Sequence, residues 1–237
     1  MAITINGSAN TVAGVAAGGI NDNVVDNGTM ADDAIGIAEL SATGTASATT
    51  FLRGDNTWAA TSGHGILEQF FTPCDGSAIA LVSGTETVSD ITSATSMSTT
   101  YADIPGSEIA YTPPSGTKQV IYKFVFTNSR DGDSNSRAHF KLLIDGTEVT
   151  NARWSDGSGG TAGIDRYNNF EWAINVGGTA NAATGRQASW TSDKTIKLQM
   201  REYTSGYESK VHNVYYWDGA NNDPQFHQPS IGITAIG

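Results

Sequence analysis

The chain has 237 residues, 16% of them charged and 27 of them Gly, a mix that suits short strands and turns better than helical bundles. Its net charge of −11 disfavours nucleic acid, which needs a basic face, and its single cysteine, Cys74, excludes an internal disulfide framework. No apolar run approaches the ~18 residues of a membrane span and no basic, apolar leader opens the chain, so the expectation is a soluble protein with no membrane insertion and no classical export signal.

The acid excess is local. Before Lys118 twelve acids face one base, Arg53, whereas from Lys118 onward each sign occurs twelve times. Residues 1–63 also hold only two aromatic side chains, Phe51 and Trp58. Their thinly spread apolar positions cannot offset the entropy of ordering the segment alone. It is predicted to be ordered by other chains, with a flexible acidic linker as the alternative. Within it, "TMADDAIGIAEL" fits one short helix, with Thr29 as N-cap and Met30, Ala34 and Ile37 on one face, although Gly36 opposes that reading. "TTFLRGDNTWAA" contains Arg53-Gly54-Asp55, a tripeptide of integrin ligands. Without a secretion signal it reads better as a plug and turn. Gly54-Asp55-Asn56 would reverse the chain, Phe51 and Trp58 would dock on neighbouring subunits, and Arg53 would pair with a nearby acid.

From Gly65 the texture changes to that of strands. "QVIYKFVFTN" puts Val120, Tyr122, Phe124 and Phe126 on one face. "AHFKLLIDGTEV" alternates Phe140, Leu142 and Ile144 and turns at Asp145-Gly146, the strongest hairpin signal in the chain. "NFEWAINV" alternates Phe170, Trp172, Ile174 and Val176, and "KTIKLQMREY" points Ile196, Leu198 and Met200 inward. "KVHNVYYWDG" and "SIGITAIG" supply two more, and weaker candidates lie near 66–72, 77–82, 85–91 and 107–111. The expectation is all-β: a thin N-terminal stalk (1–63) followed by a C-terminal antiparallel β-sandwich, jelly-roll-like, over 64–237. Ile121, Val125, Val214 and Tyr216 give some strands a second apolar face, which predicts packing against another subunit.

Two motifs in the first quarter carry a resemblance. The spacing "V-x-x-G-x-M-x-x-x-A-I-x-x-x-x-L" runs from Val25 to Leu40, and "T-x-F-L-x-G-D-x-T-W" from Thr49 to Trp58. Both resemble the shaft and attachment segments of tailed-bacteriophage tail fibres, marine-phage types in particular. The resemblance implies a parallel homotrimer on the virion, assembled in the host cytoplasm and joined to other virion proteins through its N-terminus. Met30, Ile35, Leu40, Phe51 and Trp58 are then the stalk and trimer contacts. The same motifs fit a capsid-bound head fibre or decoration protein without a specific ligand.

Catalytic motifs are missing from any supporting context, which argues against an enzyme, although a polysaccharide hydrolase remains a competing class. "DGDSNS" opens like a calcium loop but places Ser136 and Leu142 where Gly and Glu are needed, so it reads as a hairpin loop. His64, His139, His212 and His227 have no ligand spacing and read as surface or loop residues, though a threefold axis could gather copies of His64 around a metal. No metal or cofactor is expected. Aromatic and amide-rich loops instead suit a host cell-surface carbohydrate, whose ring faces stack and whose hydroxyls hydrogen-bond. The candidates are Trp154, Asp156, Tyr167, Tyr207, Trp217, Asp218, Asn221 and Asn222.

Overall fold

The structure, a computed structural model, describes residues 4–6, 11–13, 42–48, 50–60, 65–130, 137–157, 165–217 and 222–237. The chain divides into two compact units, Met1–Ser62 and Gly63–Gly237. Among the described residues there is no helix, and so none long and apolar enough to cross a membrane.

In the first unit, β1 (Thr4–Asn6) pairs antiparallel with β2 (Thr11–Ala13), and β3 (Thr50–Leu52) with β4 (Trp58–Ala60). The turn between β3 and β4 carries the tripeptide. Asn56 donates its N–H to the Arg53 carbonyl at 3.0 Å and adopts φ 63°, and Arg53 N–H reaches the Thr57 carbonyl at 2.9 Å. This is a three-residue hairpin loop closed by a left-handed residue, a conformation that Asn tolerates. The chain does reverse at Gly54-Asp55-Asn56. Arg53, however, pairs with Asp55 of its own tripeptide at 3.3 Å, both half-exposed. Phe51 is 47% exposed, and Trp58 is half-buried against the segment at Gly44. Met30, Ile35, Leu40, the helix expected at 29–40 and His64 lie outside the described residues.

The second unit is an antiparallel two-sheet sandwich. Its strands are β5 (Ile66–Pro73), β6 (Ala78–Leu81), β7 (Gly84–Thr87), β8 (Thr95–Ser96), β9 (Ala102–Asp103), β10 (Ile109–Tyr111), β11 (Gln119–Arg130), β12 (Arg137–Ile144), β13 (Thr147–Gly157), β14 (Arg166–Asn175), β15 (Lys194–Glu202), β16 (Ser209–Val211), β17 (Asn213–Trp217), β18 (Asn222–Phe226) and β19 (Ser230–Ile236). One sheet runs β10–β15–β12–β13, with β9 also on β15. The other is built on β11, which carries β14 on one side. On its other side β11 carries β19 along Gln119–Val125 and β16 along Asn128–Arg130, and β5 and β8 lie beyond these. β6–β7 and β17–β18 are separate hairpins.

The alternation read from the sequence is the core. Val120, Tyr122, Phe124 and Phe126 are fully buried, as are Leu142, Ile196, Leu198 and Met200. Around Ser107 the buried polar groups are hydrogen-bonded. Tyr122 donates to the Ser107 carbonyl at 2.6 Å, and the Ser107 hydroxyl donates to the Ile104 carbonyl at 2.7 Å and accepts from Leu198 N–H at 3.1 Å. Cys74 is buried beside the Gly106 carbonyl, and burial pushes its thiol up to about 12. It is therefore a core residue rather than a nucleophile.

The run at 131–136, expected as a hairpin loop, lies outside the described residues; its flanks, β11 and β12, belong to different sheets. Two expectations are corrected. Val125 is buried within the single chain, between Asn169 and Ser230, and needs no second subunit to cover it. His212 is fully buried rather than a surface residue. It sits at φ 60° where the chain breaks between β16 and β17, with Nε2 2.9 Å from the Pro105 carbonyl. The last gives a prediction. Burial lowers the His212 pKa to about 4, against ~6.5 in the unfolded chain, so between these values the unfolded state binds the extra proton. Stability is then full above about pH 6.5 and falls on acidification, by roughly 3 kcal/mol at most. We expect the urea midpoint to drop between pH 7 and pH 5, and His212→Asn to flatten that slope. The Asp145-Gly146 turn, at φ 47° and 74°, gives another: Gly146→Ala should lower stability by about 1 kcal/mol in urea titration.

Candidate functional site

β13 and β14 are the outermost strands of their respective sheets, and each is paired on one side only. They border the same open side of the sandwich. Phe140, from the centre of its sheet, stacks on Trp154 at 4.5 Å between ring centres and 6° between planes; Trp154 stacks in turn on Phe170 at 4.7 Å and 16°. Phe170 tilts onto Tyr122. The two sheets are thus stitched through a file of rings, because the alternation of β13 and β14 aims both apolar faces at one gap.

Outside that file lies a groove of about 330 Å³ with an aromatic floor of Trp154, Phe170 and Trp172 and a polar rim that includes Asn151, Arg153, Asn168, Asn169 and Glu171. It continues into a polar mouth of about 420 Å³ lined by Ser155, Asp156, Asp165, Arg166 and Tyr167. Asp156 on β13 and Arg166 on β14 form an ion pair at 2.5 Å that bridges the two sheets at the mouth. Asp165 accepts the Tyr215 N–H at 2.9 Å, Asn168 donates to the Asn128 side chain at 2.5 Å, and the Trp172 indole donates to the Thr184 carbonyl at 3.0 Å. The aspartates are therefore spoken for by structural contacts. The groove offers ring edges, amides and one rim carboxylate, Glu171, a set suited to hydroxyl-rich ligands.

The eight candidates from the sequence do not form one site. Trp154, Asp156 and Tyr167 meet at the groove mouth. Trp154 is corrected in role, because both its faces are covered by Phe140 and Phe170 and no face is left to stack on a sugar. Asp156 is committed to Arg166. Tyr167 is 67% exposed, its ring set edge-on to His227 at 5.8 Å, and remains available. Tyr207 lies elsewhere, edge-on to Tyr203 at 5.6 Å in the β15–β16 connection. Trp217 and Asn222 are paired on the β17–β18 hairpin, while Asp218 and Asn221 lie outside the described residues. Asn168, Asn169 and Glu171 were missed. Strand alternation puts them on β14, but only the tertiary fold shows that β14 faces β13 across a gap. Among the described residues no group of three His, Cys, Asp or Glu side chains is placed to hold a metal.

These roles separate by mutation. We expect Trp154→Ala to cost about 3 kcal/mol of stability, since it removes the middle of a stacked file. Tyr167→Ala should stay within ~0.5 kcal/mol, both read as urea midpoints.

No protein-family model matches the chain, and no curated protein does. Among solved structures it is similar to a chain of the "Structure of infectious bursal disease virus Gx strain", at 12% identity and a TM-score of 0.29. That match covers 76% of this chain and 38% of the viral chain.

Proposed function

We propose that this chain is a structural virion protein of a tailed phage, a trimeric fibre whose sandwich presents a glycan-binding end to the host surface. The observation that carries this reading is the polarity of the second unit. The chain enters it at Gly65, hydrogen-bonded to Gly237 at 3.0 Å, and β5 starts beside the end of β19. The last residues of β11, β13 and β15 and the first of β12, β14 and β16 all lie at the opposite end, by the registers Arg137↔Gly157, Ala138↔Glu202, Asn128↔Arg166 and Arg130↔Ser209, with Asp165 bonded to the β17 backbone. The groove mouth opens among these strand ends. Chain entry at one end and a polar groove at the other suit a particle-mounted binding module. The sheet connectivity, in which the chain crosses between the sheets at β10–β11, β11–β12, β13–β14, β14–β15 and β15–β16 and keeps β12–β13 within one sheet, supports a jelly roll.

For the trimer, the support is the outward face of β5, β19 and β11. Phe71 is 55% and Leu67 38% exposed there, beside half-buried Ile121 and Ile236. An apolar patch of this kind suits a subunit contact. Light scattering of the full chain at micromolar concentration should give three times the chain mass, and Phe71→Glu should shift it toward one; a single-chain mass for the unmodified protein would refute the assembly. For function, purified protein added before the phage should block adsorption to host cells, and Tyr167→Ala combined with Glu171→Ala should lose most of that effect. Unblocked adsorption by the folded, unmodified trimer would instead favour a head fibre or decoration role without a ligand.

A further inference from the structure

The outward face of the five-stranded sheet has an uneven charge pattern. Lys197 pairs with Asp103 and Glu108 at 2.7 and 3.1 Å, and Arg153 with Glu148. At the loop end of the same face, Arg137, Lys141 and Arg201 form no ion pair with a carboxylate among the described residues. They lie on tyrosine rings instead. Lys141 and Arg201 share the Tyr101 ring at 4.2 and 5.5 Å, and Arg137 lies 4.9 Å from the centre of Tyr203. His139 sits between them, opposite Arg201 in the register and 5.8 Å from Tyr203. Burial and then the charges of Arg201 and Arg137 hold its imidazolium below the usual range, as a local surplus of cations requires. Two cations on one ring repel each other at close range. The chain supplies acids freely elsewhere, with 24 against 13 bases, yet among the described residues these three cations have none at contact distance, Glu148 feeling the charge of Lys141 only from further off.

We propose that this strip, formed by Tyr101, Arg137, His139, Lys141, Arg201 and Tyr203, binds an acidic polysaccharide. Arg137, His139 and Lys141 are alternate residues of β12, so their side chains leave the sheet about 7 Å apart and span roughly 14 Å. A flat, regularly spaced row fits a linear chain carrying a carboxylate, sulfate or phosphate at a regular interval. Tyrosine rings beside the cations supply apolar contact for sugar rings. Nucleic acid is the poorer fit, because the rest of the molecule repels a long polyanion of high charge density. The inference deepens the glycan-binding reading by naming the ligand's charge, and it places a second contact surface beside the groove.

The test uses the full chain at 0.15 M salt with three immobilised probes: polygalacturonate, neutral dextran and single-stranded DNA. Polygalacturonate should bind and dextran should not. Lys141→Gln with Arg201→Gln should weaken polygalacturonate by roughly tenfold or more, the loss of two charge-assisted contacts. Lys197→Gln, which removes a cation already paired, should change it by less than about twofold. Equal capture of dextran and polygalacturonate, no capture of polygalacturonate, or an undiminished double variant would each overturn the proposal, as would DNA binding as tight as polygalacturonate. Adsorption blocking separates this from the receptor reading. A double variant that blocks adsorption as well as the unmodified protein leaves that reading standing and removes the strip from it. Strip-dependent capture of polygalacturonate without any blocking supports the strip alone.

Discussion

The register of β11 is the constraint on which the molecule rests. Its twelve residues pair with three other strands, β14, β16 and β19, and so hold their sheet together. Its inward file of Val120, Tyr122, Phe124 and Phe126 meets the facing sheet, Phe126 lying 5.9 Å from Phe140. A slip of one residue along β11 would turn those four rings and branches to solvent and bring Lys123 inside, so the register is fixed by burial. Everything placed by β11 inherits that definition, including the residues of β14 that line the groove.

The groove in turn follows from how the sandwich ends. A sheet edge is a hazard unless something blunts it. Here the two edges, β13 and β14, face the same gap and share a stack of rings, while Asn151 N–H is capped by the Ala183 carbonyl of the β14–β15 connection at 3.0 Å. Toward the other end the cover stops and the Asp156–Arg166 pair takes over. The open stretch between these closures is the groove. The groove and the edge protection are two outcomes of one arrangement, and Trp154 belongs to the second.

The strands of strong period two were legible in the sequence because each buries one face: β11, β12, β14, β15 and β19 all fall where alternation put them. The Asp145-Gly146 turn was legible because its left-handed pair needs those residue types. β18 was not, since Pro224 sits within it, opposite Tyr215. That strand is paired on one side only, where a missing donor costs nothing. The short β8 and β9 carry two residues each, too few for any period. The site was legible only in pieces. Polar, aromatic segments could be found, but whether a ring faces solvent or a second ring depends on which strands meet across the sandwich. Trp154 and Tyr167 look alike in their local sequence and differ only in that tertiary fact. The charge strip was hidden for the same reason: Arg137 and Lys141 on β12 are 64 and 60 residues of chain from Arg201 on β15, and they are brought beside it by the register of β12 with β15.

The opposed placement of chain entry and loop end has a mechanical consequence. A load applied between Gly65 and the last residues of β11 or β13 runs along the strands, not across them. β5 and β19 share a ladder from Ile66↔Ile236 to Pro73↔Ser230, and β19 joins β11 over seven further pairs. Pulled lengthwise, those hydrogen bonds are strained together in shear, and none can part before the others give. The same ladder pulled from its edge would open one bond at a time. The second unit is therefore oriented to resist extension along the axis that joins its point of entry to the far ends of its strands.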